Sequence, residues 1–582
     1  MPRALDYTKE SEMPSVPVSL GDMKWSKTGS WRYMRPNYED KTPPCNQACP
    51  AGNDVVRFVM LVEEGKTKSG WLKIKEESPF PGVCGRVCFH PCETQCNRGQ
   101  YDQPVSIHRL ERFVADACAH SRSRNLDRWG DRSERVAIIG SGPAGLSCAY
   151  HLALLGYHPE VFEALPVPGG ILRVGIPEYR LPEGVLNREI SDLETLGVKI
   201  RTDTKVDKDF FDGGGQEYQA VFIATGAHES QRLGISGEDG PGVIPGLTFL
   251  REVRMIQKVR PGKRVAVVGG GNTALDAARS ALRLKSQPVI IYRRSQDEMP
   301  AFAGEIEEAM EEGIEIEFLT QPVRVIRENG GVAGLECIRM NLGEVDETGR
   351  KRPVPIKGSN FTLDVDGILV AIGEAPDARL LPPDVELDWR SLTLQDVSRA
   401  ESRGVFFGGD LVSPFRTVAH AIGSGKKGAI SVDAFLRGDN PLEVLEMTRI
   451  GETGGVSMRK YIDTGYRTLS RHVVNFDELN TAYFKPLSKT DRKCLSASSR
   501  IRDFREVNRG LIRREARYEA ERCFKCGTCN ECENCYVFCP DVSILRNMRK
   551  LKHEINYDQC KGCGICFTEC PRTAISMEEE QR

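Results

Sequence analysis

The sequence contains no long hydrophobic run and carries almost no net charge. No apolar stretch approaches the roughly 20 residues that a helix needs to cross a bilayer. Residues 1–37 are polar and rich in proline breaks, without the apolar segment of a secretory signal. The 80 Lys and Arg residues nearly balance 82 Asp and Glu residues, so the charge gives no indication of nucleic acid or a membrane surface as a partner. These absences predict a cytoplasmic protein.

Cysteine, by contrast, is plentiful, and half of the 20 cysteines lie between residues 523 and 570. Two runs there share the spacing C-x2-C-x2-C-x3-C-P: Cys529, Cys532, Cys535 and Cys539, then Cys560, Cys563, Cys566 and Cys570. A doubled run of this kind predicts two [4Fe–4S] clusters, with the fourth cysteine of each run ligating the other cluster. Structural zinc, the alternative, normally uses two pairs of ligands and leaves the extra cysteines unexplained. Such spacing also favours a reducing compartment over a disulfide scaffold.

A glycine-rich loop follows a strand-like run at residues 135–139. The loop reads G-x-G-x-x-G from Gly140 through Gly142 and Ala144 to Gly145, and an apolar helix follows it. Its glycines permit a tight turn and close approach of the backbone to a pyrophosphate at the helix N-terminus. The next strand ends at Glu163, where a carboxylate can accept hydrogen bonds from a ribose hydroxyl.

A second loop repeats this plan with one change. It reads G-x-G-x-x-A and contains Gly269, Gly271, Asn272 and Thr273, and the strand after it ends in Arg293-Arg294 instead of an acid. Guanidinium groups pair with a 2′-phosphate that a carboxylate would repel, so this unit is expected to prefer NADPH to NADH. The alternative is that the arginines only solvate a strand end. Two such units predict a flavoenzyme with FAD in the first and NADPH in the second.

Further residues fit a flavin site. Asp410 follows a Gly-Gly pair at the end of a short strand and is expected to hold the ribityl chain, although it could instead be a turn or cap residue. The helix predicted from about Thr417 to Phe435 could point its N-terminus at the isoalloxazine and stabilise the anionic reduced flavin.

Several motifs resemble one known family: Gly140–Gly145, Pro168–Gly170, Ile176–Pro182, Gly269–Asn272, Tyr292–Arg294 and Glu298–Ala301. They are similar to those of the small subunit of NADPH-dependent glutamate synthase. Relatives of that subunit are the large subunit of NADH-dependent ferredoxin:NADP oxidoreductase and the N-terminal part of dihydropyrimidine dehydrogenase. The resemblance covers about residues 40 to 440. It implies that Gly170 belongs to the FAD site, that the NADPH domain is inserted into the FAD domain, and that electrons pass to iron–sulfur clusters in an N-terminal helical domain.

In this family the N-terminal region holds two clusters. Carried across residue by residue, the first would use three cysteines and a carboxylate: Cys49, Cys88, Cys92 and Glu111. The second needs Cys45, Cys96 and an upstream C-x-x-C within a segment like E-A-x-R-C-x-x-C-G. This sequence departs from the family there, because no cysteine precedes Cys45.

The missing segment occurs near the other end of the chain, at residues 519–527. We therefore expect Cys523 and Cys526 to fold back and complete the second N-terminal cluster, the alternative being a site within the tail alone. With the fold-back, fifteen cysteines and Glu111 supply the ligands of four [4Fe–4S] clusters. The cysteines left as ordinary thiols are Cys84, Cys118, Cys148, Cys337 and Cys494.

The expected fold is α/β, with two Rossmann-like domains, the NADPH domain inserted in the FAD domain. An α-helical iron–sulfur domain precedes them and a ferredoxin-like α+β domain follows. The expected divisions are 1–130 for the helical domain, 131–240 and 373–440 for the FAD domain, 241–372 for the NADPH domain, 441–517 for a linker or partner-docking segment, and 518–582 for the ferredoxin-like domain.

The function predicted from these features is electron transfer between NADPH and a ferredoxin or a partner enzyme subunit. Hydride transfer to a flavin needs stacking and orientation, so no general base is assigned. A disulfide reductase is disfavoured because Cys337 is the one cysteine between about residues 240 and 375. Other readings are an electron-bifurcating NAD(P) transhydrogenase subunit, glutamate synthase small subunit proper, or a non-catalytic electron-relay scaffold. No further catalytic domain is evident, so a partner chain or ferredoxin is expected.

Overall fold

The structure of the protein is a computed structural model. It describes residues 9, 11, 27–119, 129–207, 209–210, 217–256, 259–346, 349–377, 403–463, 469–547 and 552–580. Among the helices of these residues, none is long and apolar enough to cross a membrane.

The N-terminal region is helical, as expected. The helix Val55–Glu63 begins where the Asp54 carboxylate accepts a hydrogen bond from the Arg57 amide at 3.3 Å, which is a common N-cap. It packs on two further helices, Thr67–Lys75 and Ile107–Ala117. Three short helices each begin with proline, whose fixed φ suits a first helical turn: Pro44–Ala48, Pro81–Val87 and Pro91–Thr94. These short helices bring the front cysteines into the core.

The first parallel sheet contains five strands, in the order Val405–Phe407, Ala220–Ile223, Arg135–Ile139, His158–Phe162 and Lys199–Arg201. The central strands are apolar and almost fully buried, as is usual when helices cover both faces of a parallel sheet. The helices of this unit are Pro143–Leu154, Ile171–Val174, Glu183–Thr195 and Val418–Arg437. The last of these, the long helix, packs along Pro143–Leu154.

A second parallel sheet lies between the two stretches that build the first. Its strand order is Glu315–Glu317, Gln287–Ile291, Arg264–Val268, Gly367–Val370 and Val243–Pro245. The flanking helices are Gly246–Ile256, Asn272–Arg283 and Ala303–Glu311. An antiparallel sheet interrupts this unit, with strands Thr320–Glu328, Gly331–Val345, Lys351–Pro355 and Phe361–Leu363.

The two connections between the parallel sheets run side by side, because Ala227–Ser230 pairs antiparallel with Glu374–Pro376. The second unit is therefore an insertion in the first. This arrangement confirms the predicted fold class.

The tail folds onto the front of the chain. Its elements are helices Asn534–Val537 and Ile565–Thr568 and strands Ile544–Asn547, Lys552–Ile555 and Ile575–Glu579. Met34–Tyr38 pairs antiparallel with Ile575–Glu579, and Lys41–Thr42 pairs parallel with Ser470–Val473. The helix Arg513–Glu521 packs against Val55–Glu63 and Ile107–Ala117. Residues from both ends thus build one iron–sulfur region.

The described residues of the stretch 441–517 pack against the rest of the protein. It contains helices Pro441–Thr448, Met458–Ile462 and Ala497–Arg500. The Arg500 guanidinium pairs with Glu311 at 2.8 Å, and the Val507 amide donates to the Tyr179 carbonyl at 3.0 Å. The segment therefore contacts both dinucleotide-binding units. Several of its scattered basic side chains are paired within the chain: Lys489 with Glu93, Arg492 with Glu308, Lys493 with Glu515, and Arg471 with Glu446.

Candidate functional site

The first glycine loop has the tight geometry that its sequence predicts. Gly140 has φ 105°, and a Cβ there would lie 2.4 Å from the Ala224 carbonyl oxygen. A Cβ on Gly145 would lie 1.9 Å from the Gly140 oxygen. Gly142 differs, because a Cβ there would meet nothing within 4 Å. Two of the glycines are thus needed for the turn, whereas Gly142 leaves open space beside the backbone where a pyrophosphate would bind.

A cavity of about 500 Å³ opens from this loop, within the range typical of ligand sites. Its lining includes Ala144, Glu163, Gly170 and Asp410. Gly170 has φ 54°, and a Cβ there would lie 2.7 Å from Gly142 Cα, so this position too is held to glycine by close contact. The structure therefore brings six of the seven predicted FAD-site residues to one cavity, which Gly140, Gly142, Ala144, Glu163, Gly170 and Asp410 line. Gly145 instead packs against the Gly140 carbonyl oxygen within the turn.

Two acidic groups of the cavity have different surroundings. The Glu163 carboxylate accepts hydrogen bonds from the Ser141 amide at 3.0 Å and the Leu165 amide at 2.8 Å. Burial raises the pKa of Asp410 to about 6, while the nearby Arg416 guanidinium acts in the opposite direction. Both carboxyl groups, Glu163 buried and Asp410 half-buried, are suited to accept hydrogen bonds from ligand hydroxyls.

The long helix points its N-terminus into the same cavity. Thr417 is the N-cap, and its hydroxyl oxygen accepts from the His420 amide at 3.3 Å. Thr417, Val418 and Ala421 all line the cavity. Because a helix N-terminus carries partial positive charge, this end of the cavity favours a negatively charged group.

The second glycine loop repeats the first. Gly269 has φ 144°, and a Cβ there would lie 2.1 Å from the Ala371 carbonyl oxygen. A Cβ on Gly271 would meet nothing within 4 Å. The loop leads directly into the helix that begins with Asn272-Thr273, and the Asn272 side chain accepts from the Phe302 amide at 3.2 Å. The open Gly271 position again fits a pyrophosphate.

The two arginines that follow this loop have different surroundings. Arg294 is buried, and its guanidinium donates to the Lys351 carbonyl at 2.8 Å and pairs with Asp346 at 2.6 Å. Arg293 is exposed. Partial burial lowers the pKa of Arg293, and the charges of Arg294 and Arg350 lower it further. A phosphate dianion would relieve this crowding of cations, so Arg293 fits the 2′-phosphate role better than Arg294 does.

Four of the predicted front ligands lie together, hereafter the Glu111 group: Cys49, Cys88, Cys92 and Glu111. All are buried except Cys88, which is half-buried. Burial raises the pKa of Glu111 to about 8 and that of Cys49 to about 11. Burial likewise raises the pKa of Cys92, and the charges of Cys49 and Cys88 raise it further. So many buried acidic side chains are costly unless cations neutralise them, and an iron–sulfur cluster meets that need.

A second group, hereafter the fold-back group, joins the two ends of the chain: Cys45, Cys96, Cys523 and Cys526. Cys45 and Cys526 are buried, and Cys96 and Cys523 are half-buried. Burial raises the pKa of Cys45 well above its usual value, and the charges of the other three thiolates raise it further. The Asn97 amide also donates to Cys526 Sγ at 3.5 Å. The structure therefore brings together the four cysteines that the fold-back hypothesis requires.

The fold-back segment is held by a fully buried arginine. Arg522 pairs with Glu519 at 2.6 Å and with Asp102 at 3.1 Å, and it donates to the Gln103 carbonyl at 2.6 Å. Glu519 in turn accepts from the Ser106 amide at 2.9 Å. This network ties the residues just before Cys523 to the N-terminal helical region.

We expect Arg522→Met to loosen the fold-back segment, because removing one partner of a buried ion pair costs about 3–5 kcal/mol. Amide hydrogen exchange over Arg513–Glu521 should accelerate by about 100-fold or more, because the free energy of local opening falls by that amount. Arg514→Met, on the exposed face of the same helix, is the control and should leave the exchange rates unchanged. Equal exchange in the two variants would contradict the role given to Arg522.

The tail cysteines form two further groups in the crossed pattern that the sequence predicts. The first tail group contains Cys529, Cys532, Cys535 and Cys570, and the second contains Cys560, Cys563, Cys566 and Cys539. Burial raises the pKa of Cys535 to about 11, with further contributions from the rest of its group. Burial raises the pKa of Cys560, and Cys539 raises it further. The fourth cysteine of each run thus lies with the other run.

None of the 20 cysteines, all of which lie in the described ranges, forms a disulfide. Cys84 was expected to be an ordinary thiol, yet it lies beside the Glu111 group: burial raises its pKa, and the charge of Glu111 raises it further. The sequence signal for this was its position one helical turn before Cys88. A buried lysine, Lys426, also escaped prediction because nothing in the sequence distinguishes it from its neighbour Lys427.

Three regions of the chain match known protein families. Residues 134–425, half of the chain, match the pyridine nucleotide-disulphide oxidoreductase family. Residues 38–123 match the dihydropyrimidine dehydrogenase domain II, 4Fe-4S cluster family, and residues 553–576 match a 4Fe-4S binding domain.

Individual relatives agree with these matches. The NADP(+)-dependent formate dehydrogenase subunit beta of Moorella thermoacetica is 40% identical, over 83% of this chain and 70% of its own length. The NADPH-Fe(3+) oxidoreductase subunit beta of Geobacter sulfurreducens (strain ATCC 51573 / DSM 12127 / PCA) is 36% identical, over 83% and 75%. The glutamate synthase [NADPH] small chain of Escherichia coli (strain K12) is 32% identical, over 66% and 87%. The chain belongs to the glutamate synthase small-chain-like oxidoreductases.

Membership confirms the predicted resemblance and class of activity. The chain is an NAD(P)H-dependent oxidoreductase of this family that uses FAD, NADPH and [4Fe–4S] clusters. The broader family name includes disulphide reduction, which requires a pair of reactive thiols. In this oxidoreductase Cys337 is the one cysteine of the inserted unit. It is fully buried, and burial raises its pKa to about 12, so disulfide chemistry has no dithiol there.

Proposed function

We propose that this chain is the NADPH-linked electron-transfer subunit of a multisubunit oxidoreductase, exchanging electrons with a ferredoxin or a partner subunit. One observation carries the proposal: the cysteine groups form a continuous series from the flavin cavity to the tail. Gly423 of the long helix lies against Pro50, next to Cys49. The helix Pro44–Ala48, which contains Cys45, packs against Pro91–Thr94, which contains Cys92. Cys526 and Cys529 are close in sequence, and they link the fold-back group to the tail.

The four groups are proposed to hold four [4Fe–4S] clusters. The Glu111 group and the fold-back group each offer four buried or half-buried ligands, and each tail group offers four cysteines, of which Cys532 and Cys563 are exposed. The exposed cysteines lie at the tail surface, where an electron could pass to another protein. The reduction potential of the partner sets the direction of electron flow.

When bound, FAD exchanges electrons in pairs with a nicotinamide and singly with iron–sulfur clusters. The chain's own residues orient these reactants. Gly142 and Gly271 leave room for the two pyrophosphates, and the N-terminus of the long helix supplies positive charge at the flavin cavity. No proton donor or base is assigned, because hydride transfer depends on stacking and distance.

The proposed division of the chain follows the sheets and the cysteine groups. Residues 1–130 and 518–582 hold the clusters, 131–240 and 373–440 bind FAD, and 241–372 bind NADPH. Residues 441–517 brace these parts and can also contribute to a partner surface. A reducing cytoplasmic location is proposed on the same grounds as the clusters, since free thiols and iron–sulfur centres persist there.

We expect Arg293→Ala to weaken the preference for NADPH, because it removes the exposed guanidinium that fits the 2′-phosphate. Loss of one charge-assisted contact costs about 1.5–3 kcal/mol, so kcat/KM for NADPH should fall by roughly 10- to 100-fold. The value for NADH should stay within about twofold, since NADH has no 2′-phosphate. Steady-state kinetics with both nucleotides checks this, and an equal fall for both would contradict it.

The proposal as a whole is tested on the purified, anaerobically reconstituted protein. We expect bound flavin, about sixteen iron atoms per chain for four clusters, and bleaching of the flavin by NADPH. Iron near twelve per chain would argue against the fold-back cluster. A colourless protein that contains zinc instead of iron would overturn the proposal.

The partner is identified by anaerobic purification of the native complex. A co-purifying dehydrogenase or oxidoreductase subunit supports the proposal, and the formate dehydrogenase and NADPH-Fe(3+) oxidoreductase relatives, both named beta subunits, favour that outcome. A second NAD(P)-dependent flavoprotein would indicate an electron-bifurcating transhydrogenase. A glutaminase and synthase chain would indicate glutamate synthase proper. A chain that binds its partner but does not oxidise NADPH would be a relay scaffold.

A further inference from the structure

A buried lysine lies between the flavin cavity and the Glu111 group. Lys426 belongs to the long helix, whose first turn lines the cavity. At 1.5 Å per residue it is about 12 Å beyond Val418 along the helix axis. The Lys426 side chain is fully buried, whereas that of the adjacent Lys427 is exposed. A buried ammonium is costly, so its position calls for a structural or functional reason.

The ammonium lies directly against the segment that carries Cys49. A Cβ built on Gly52 would be 2.8 Å from Lys426 Nζ, so the ammonium fills the space that a side chain at Gly52 would need. The Gly52 amide donates to the Cys49 carbonyl at 2.9 Å, which makes the two residues parts of one turn. Burial raises the pKa of Cys49, and the charge of Lys426 acts in the opposite direction. Lys426 therefore places positive charge beside a ligand of the Glu111 group.

Glu77 fixes this charge in position. Its carboxylate forms an ion pair with Lys426, and both side chains are almost completely buried. The same carboxylate accepts hydrogen bonds from the Ser457 hydroxyl at 2.6 Å, the Met458 amide at 2.8 Å and the Arg459 amide at 3.1 Å. The Glu77 carboxylate thus has four donors, and the Lys426 ammonium is one of them. The ion pair holds the ammonium in position, while the other three donors share the negative charge of Glu77.

We propose that Lys426 is a positioning residue that raises the reduction potential of the cluster held by the Glu111 group. The inference rests on the proposed function, in which that group holds a [4Fe–4S] cluster. In the step concerned, one electron leaves the reduced flavin and enters the cluster, and no bond forms or breaks. The cluster becomes more negative by one charge, and a buried cation nearby stabilises that state. Lys426 thus makes the first cluster after the flavin a better electron acceptor.

The test is a redox titration of each cluster in the full-length holoprotein, followed by electron paramagnetic resonance. In Lys426→Met we expect the reduced-to-oxidised ratio of one cluster, at a fixed potential, to fall about tenfold. That fall corresponds to a shift of about 59 mV to lower potential for a one-electron couple. Lys426→Gln removes the charge but keeps a hydrogen-bond donor toward Glu77. If the methionine variant does not retain its iron, the same redox titration is carried out on Lys426→Gln.

Two controls separate the charge from the packing. Lys426→Arg keeps the positive charge, so its cluster should have the wild-type reduction potential. Lys427→Met removes the exposed lysine next to it and should leave every potential unchanged. Wild-type potentials for all clusters in Lys426→Met or Lys426→Gln, with full iron content, would overturn the inference, as would an equal shift in Lys427→Met. Iron content and the number of cluster signals in the wild-type protein are measured first. They test the proposed function separately, so its failure is distinguished from failure of this inference.

Discussion

Replacing Cys523 and Cys526 together by serine is expected to interrupt electron transfer to the tail while NADPH still reduces the flavin. The two thiols complete the fold-back group, and without them Cys45 and Cys96 are the two ligands that remain. Changes around a metal site cost 10- to 100-fold in metal affinity. Loss of two ligands should therefore lower turnover with a protein acceptor by at least about 100-fold.

Two measurements on the same preparation check this expectation. Rapid mixing with NADPH should bleach the flavin at the wild-type rate, and iron should fall by about four atoms per chain, one cluster. Cys494→Ser, at an exposed thiol outside the four groups, is the matched control. Wild-type turnover with full loss of that iron would show that electrons bypass the fold-back group, and would contradict the proposed series.

Gly142→Ala is expected to empty the flavin site without disturbing the fold. A Cβ at this position meets nothing within 4 Å in the protein itself, so the FAD-free chain should be as stable as the wild type. The methyl group would occupy the space that close approach to a pyrophosphate needs. A displacement of about 1 Å changes a positioned interaction by roughly 100-fold, and the FAD dissociation constant should rise by that order.

The glycine variants also distinguish a binding effect from a folding effect. Gly140→Ala should destabilise the protein with or without FAD, because its Cβ would lie 2.4 Å from the Ala224 oxygen at φ 105°. Gly184→Ala, in a helix with its nearest neighbour at 3.7 Å, should leave FAD affinity unchanged and should not destabilise the protein, because alanine favours a helix over glycine. Fluorescence titration with FAD and thermal unfolding of the FAD-free forms provide the two readouts. Normal FAD affinity in Gly142→Ala would refute the placement of the pyrophosphate.

The dinucleotide-binding units were accessible from sequence because their elements are local. Buried parallel strands are short apolar runs, and the strands Arg135–Ile139 and Arg264–Val268 cover the residues expected. The glycine loops fall between such a strand and a helix, so spacing alone locates them. The antiparallel sheet within the second unit was not predicted. It pairs segments that alternate weakly in polarity, such as Lys351–Pro355, which is largely exposed.

Features that depend on tertiary contacts were harder to predict. Arg293 and Arg294 look equivalent in sequence, and their different roles arise because Asp346 and Lys351, from the antiparallel sheet and its connection, contact the Arg294 guanidinium. The buried state of Lys426 depends on Glu77, which lies far away in the chain. The joining of Cys523 with Cys45 was expected only because a family segment occurs at an unusual place. Its physical basis, the buried Arg522 network, has no local signature.

The union of distant segments in the fold-back group has a consequence for biosynthesis. Cys45 emerges from the ribosome long before Cys526, which completes its group. At 5–20 residues per second, roughly 25 to 95 seconds of translation separate the two. During that interval the nascent N-terminal helices have only part of a metal-binding set and lack the helix Arg513–Glu521 that covers them. In the proposed arrangement, a cluster at this centre can be completed only after Cys526 has been synthesised, so the early thiols wait without their partners for most of translation.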